Sequence, residues 1–111
     1  MQLLDDLKAR LDGEDSMFRA QLLREDIARL ERLVALAGES SDYAAFQRAG
    51  LYIGWTQNDL LTHRIQAPLE RVLAALYAHL SGAGDQASED HLCSAWQELE
   101  TARLERLIKC L

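Results

Sequence analysis

Proline occurs once in 111 residues, and glycine only six times. β-Branched residues are scarce, and Leu and Ala supply most of the apolar content. A sheet built on turn residues and β-branched strands is thereby excluded. Leu, Ala, Glu, Gln and Arg lose little rotamer freedom in a helix. The composition therefore predicts an all-α fold, a small antiparallel bundle of three to five helices. With 49% apolar and 27% charged residues the chain suits one globular domain, 1–111, and disorder over most of its length is not expected.

Other absences narrow the function. There are only two cysteines, Cys93 and Cys110. Placed on one helix they stand about 25 Å apart, too far to pair, so no disulfide framework is expected. No apolar run approaches the roughly 18 residues of a membrane span, and MQLLDDLKAR lacks the apolar core of a signal peptide. The expected compartment is a reducing cytoplasm, with no membrane partner. Basic excess is missing too: the net charge is −6, and the basic residues alternate with acids, as in Arg24-Glu25-Asp26. Nucleic-acid affinity comes largely from phosphate neutralisation, so a nucleic-acid partner is disfavoured.

What is present is helical period. Leu3, Leu4, Leu7 and Leu11 mark a short first helix over about 2–12, with Asp6 and Arg10 paired four apart. A helix of that length is marginal alone and must dock, on its own domain or on a partner. Residues 15–37 form a second helix, with Phe18, Leu22, Leu23, Ile27, Leu30, Leu33, Val34 and Ala37 on one face and Gly38 as its C-cap. Ser41 or Asp42 caps a third, read over 43–65. Pro68, well tolerated in a first turn, opens a fourth with Leu69, Val72, Leu73, Leu76 and Leu80; its predecessor Ala67 is expected to be extended. A flexible loop is expected at about 81–87. Ser88 then caps a last helix carrying Leu92, Trp96, Leu99, Leu107 and Leu111, with Glu105 and Lys109 paired.

Signatures of catalysis and metal binding are lacking. His63, His79 and His91 are 16 and 12 residues apart, without the close pairs that zinc requires, and are expected to be exposed or at helix ends. No nucleophile elbow or phosphate-binding glycine loop occurs, and no carboxylate falls inside an apolar stripe. A non-catalytic protein without metal or cofactor is expected.

Gly50-Leu51-Tyr52-Ile53-Gly54 has the spacing that lets helices approach closely, or it is a weak spot in the helix. If residues 43–65 are one helix, Arg48, Tyr52, Trp55 and Asp59 share a strip. Tyr, Trp and Arg are favoured at interface centres, so this strip is a candidate protein-binding face. Trp55 serves equally well as core. The leucines of the first helix, Leu3, Leu7 and Leu11, form a second candidate.

Gly54-Trp55-Thr56-Gln57-Asn58-Asp59-Leu60-Leu61 resembles the start of the second helix in phage-repressor-like helix-turn-helix domains. That family implies a DNA-binding regulator, but here the following turn is absent and His63-Arg64-Ile65-Gln66-Ala67-Pro68 takes its place. In size, acidity and leucine-rich helicity the chain resembles small bacterial secretion chaperones and antiactivators. That resemblance implies sequestration of a protein partner, such as a transcription regulator or a secretion component, in a homodimer or heterocomplex. A structural or assembly subunit of a phage or secretion machine is the alternative.

Overall fold

The computed structural model describes residues 1–55, 60, 64–82 and 84–110, with side chains through residue 105. Among the described residues there are five helices and no strand: α1 (Gln2–Asp12), α2 (Met17–Glu39), α3 (Tyr43–Gly50), α4 (Gln66–Ser81) and α5 (Gln86–Cys110). The chain is a small all-helical bundle. No described helix is long and apolar enough to cross a membrane.

Local chemistry explains most boundaries. Ser16 caps α2 by accepting the Arg19 N–H, and Asp42 caps α3 by accepting the Ala45 N–H at 2.8 Å. The α5 cap is Asp85, whose carboxylate accepts the Ser88 N–H at 2.9 Å. Ser88 thus lies in the first turn and is not the cap. Its N–H and hydroxyl hold the Asp85 carboxyl below the usual range. Pro68 sits in the first turn of α4, where its missing donor costs nothing, and Ala67 is helical, not extended. The connection from α4 to α5 covers only 82–85, shorter than the loop expected at 81–87.

Gly38 is not a cap but lies inside α2, which runs on to Glu39. A Cβ added at Gly38 meets nothing within 4 Å, so only the entropic cost of the glycine remains. Gly38→Ala is expected to stabilise the fold by about 0.5–1 kcal/mol, read as a higher urea midpoint at unchanged slope.

The largest departure is α3, which stops at Gly50 instead of continuing to residue 65. A series of tight turns follows, with Tyr52 N–H donating to Ala49 and Ile53 N–H to Gly50. Gly50 is a point of close approach: a side chain there would meet Leu73 at 3.1 Å and Leu33 at 3.2 Å. Gly54 has φ +77°, a left-handed conformation that glycine adopts without strain. Leu60 is buried and helical, and its carbonyl accepts the Ile65 N–H around a left-handed Arg64. Thr56, Gln57, Asn58, Asp59, Leu61 and His63 lie outside the described residues, and with them most of the helix-turn-helix resemblance.

The helices pair as short connections demand. Arg71 meets Glu98 and His79 meets Glu89, so α4 and α5 form an antiparallel hairpin. α1 returns along α2 and runs beside α5 in the same direction, Leu3 opposite Glu89 and Arg10 opposite Glu100. Arg10 thus pairs across helices and not with Asp6. The core holds Leu7, Leu30, Leu33, Phe46, Leu69, Leu73, Leu76, Leu92, Trp96 and Leu99. Trp96 satisfies its indole N–H on Glu100 at 2.7 Å. Tyr43, Phe46 and Tyr77 stack as tilted rings that join α3 to α4.

Candidate functional site

The leucines proposed as a partner face on the first helix turn inward. Leu3 and Leu7 are buried in the chain's own core, and Leu11 is half-buried against it. α1 therefore docks on its own domain. The start of α1 lacks a side-chain cap of its own; Glu89 from α5 accepts the Leu3 N–H at 3.0 Å instead. The other Glu89 oxygen lies 2.7 Å from His79 Nε2, and His79 Nδ1 lies 2.6 Å from the Ser88 hydroxyl. Three helices are tied at this point.

Glu89 and Asp26 are both buried, which corrects the expectation that no carboxylate sits among apolar residues. Asp26, in the middle of α2, accepts from Arg29 at 3.2 Å and from Arg103 of α5 through both its oxygens at 3.1 Å. Burying a charge is costly unless it is paired, and here two guanidiniums pair it. Periodicity missed both acids because each is buried by a helix distant in sequence.

Arg29 does a second job. It donates to the Gly54 carbonyl at 3.2 Å, and its guanidinium lies 4.5 Å above the Trp55 ring. Trp55 is only 7% exposed, so of its two sequence readings the core is the one realised. The helical strip does not form: Arg48 is exposed on α3, Tyr52 is 55% exposed in the following turn, Trp55 is inside, and Asp59 lies outside the described residues.

A surface that the sequence pattern did not single out is more exposed. Phe18, expected on the apolar face of α2, is 67% exposed; Met17 beside it is 88% exposed. Leu104 of α5 is 58% exposed. Between α2 and α5 runs a groove of about 240 Å³ lined by Leu22, Leu23 and Leu104, with Arg10, Glu14, Arg19, Asp26, Glu100 and Arg103 around it. Phe18 stands one turn before Leu22, on the same side of α2. The buried stripe of α2 runs through Ala20, Leu23, Ile27 and Leu30, and Phe18, two residues before Ala20, points away from it. Leu80, expected in the α4 stripe, is also exposed, on a neutral groove of similar size with Val34, Ala37 and Tyr77.

Chemistry-bearing clusters are few. Among the described residues no three His, Cys, Asp or Glu side chains converge on a common point. Burial, with the charges of Glu89, Asp6 and Asp90, pushes the Cys93 thiol up, which is the opposite of activation. His79 stands at the end of α4, as expected of a helix-end histidine, but it is paired and largely covered. No protein-family model, curated protein or solved structure matches this chain.

Proposed function

We propose that the chain is a non-catalytic protein-association module that covers apolar surface on a protein partner. One observation carries the reading: Leu104 stands in water on a groove that Leu22 and Leu23 also line, and Phe18, one turn before Leu22 on α2, stands in water as well. A small domain that has buried Trp96, Phe46 and most of its leucines gains nothing for its own fold from a phenylalanine left outside. Large apolar side chains grouped at one end and rimmed by charge are the composition of a binding surface. A chaperone- or antiactivator-like sequestering role suits the size and acidity of the chain.

The test is purification of a tagged copy from the native host, in wild-type and Phe18→Asp forms. A protein that co-elutes in stoichiometric amount with the wild type should be lost from the variant. Phe18 is mostly solvated, so the variant's denaturant melt should stay within about 0.5 kcal/mol of wild type. Equal recovery from both forms would rule out this face as the site of association.

A further inference from the structure

Resting on that association reading, we infer that the groove between α2 and α5 takes an acidic amphipathic helix of the partner, its apolar face on the leucines and its carboxylates on the arginines. On α2 the lining runs from Arg19 through Leu22 and Leu23 to Asp26, about two turns, and α5 adds Arg103 and Leu104. An apolar strip of that length between two helices suits a third helix laid along it, with apolar residues of its own three and four apart.

The charge that the groove leaves open is positive, although the chain as a whole carries −6. Each lining acid is already bonded within the fold. Asp26 is buried and pairs with Arg29 and Arg103. Glu100 accepts from Arg10 and from the Trp96 indole, and Glu14 accepts the Ser16 N–H at 3.1 Å. The arginines keep unused donors. Arg10 and Arg103 each bond these acids through Nη1 alone, and Arg19 takes part in no ion pair among the described residues. Within each pair the guanidinium is the more exposed member: 55% against 30% for Arg10 and Glu100, and 22% against 7% for Arg103 and Asp26. A carboxylate on the occupant therefore meets guanidinium N–H groups beside apolar surface, whereas a cationic occupant finds every lining acid taken. Nucleic acid would meet the same arginines, but it brings nothing to cover Leu22, Leu23 and Leu104, and the rest of the chain repels it.

Fluorescence anisotropy with the full chain and three labelled synthetic helices tests this. The peptides share one pattern of leucines at i, i+3, i+4 and i+7, and their charged positions are all Glu, all Gln or all Lys. The Glu peptide should bind, the Gln peptide should bind roughly tenfold more weakly, and the Lys peptide should not bind measurably. Added salt should weaken the Glu peptide and leave the Gln peptide unchanged. Arg19→Glu should weaken the Glu peptide roughly tenfold, and Leu104→Asp should abolish its binding, both with a nearly unchanged denaturant melt. Three results would overturn the inference: no binding of the Glu peptide, equal binding of the Glu and Lys peptides, or a Glu peptide indifferent to Arg19→Glu. A wild type that sediments as a dimer and becomes monomeric with Leu104→Asp would also overturn it, because a second copy would then occupy the groove. A protein that co-elutes with the wild type and is lost from Phe18→Asp, beside a Glu peptide that does not bind, would overturn the acidic helix alone and leave the association reading standing.

Discussion

Trp55→Ala will destabilise the fold by about 3–5 kcal/mol, the range for deleting a buried large aromatic. Trp55 is 7% exposed and belongs to the same cluster as Ile27, Leu30 and Leu60. Its removal does more than open a cavity. Arg29 lies over the ring and also donates to the Gly54 carbonyl, so the guanidinium loses the face that holds it against the turn. Domains of this size are stable by about 5–15 kcal/mol, so the variant will be partly unfolded or close to it at physiological temperature. Trp55→Phe keeps a ring beneath Arg29 and should lose less than half as much. A denaturant melt decides the matter. If Trp55→Ala melted like wild type while association fell, Trp55 would be an interface anchor and its burial would count for nothing. Tyr52→Ala is the control in the same turn: its ring is mostly solvated, and the melt should barely move.

How much of this was legible in the sequence depends on how far away each cause lies. α1, α2, α4 and α5 follow from apolar residues three and four apart, and the Asp42 cap from its position before Tyr43. These are local signals, complete within a dozen residues. The end of α3 is different. No proline interrupts residues 51–65, and the apolar spacing of Phe46, Ile53 and Leu60 continues plausibly. What stops the helix is the approach of Gly50 to Leu33 and Leu73, followed by Arg29 seizing the left-handed Gly54. Those partners lie 17 to 25 residues away, where a helical period carries no information. The glycine pair had two sequence readings, close packing and weak helix, and Gly50 realises both.

The buried acids failed to show for the same reason. Glu89 reads as a first-turn acid on α5 until the start of α1 is laid on it. The exposed face was hidden by the opposite error. Phe18 shares an apolar period with Leu22, but the stripe that is buried runs through Ala20, Leu23 and Ile27 and leaves Phe18 outside it. Amphipathic period marks a broad apolar side of a helix; how much of that side a neighbour covers is decided by packing elsewhere.

Asp26→Ala should cost about 3–5 kcal/mol, the amount lost when one member of a buried charge network is removed. Arg29 and Arg103 both donate to Asp26, and both use its Oδ1. Without the carboxylate, two guanidiniums converge with nothing between them, and like charges so close must separate. Arg29 can retreat only by releasing Gly54 and Trp55; Arg103 can retreat only by shifting the end of α5. Asp26→Asn tests charge separately from shape. It keeps one acceptor oxygen but turns an N–H₂ donor toward an arginine, so it should lose more than half of what alanine loses. A cycle with Arg103→Met then isolates the cross-helix term, expected at about 1.5–3 kcal/mol for hydrogen bonds to a charged group. A coupling near zero would show that Arg103 is merely adjacent, and that α5 is held to α2 by apolar contact alone.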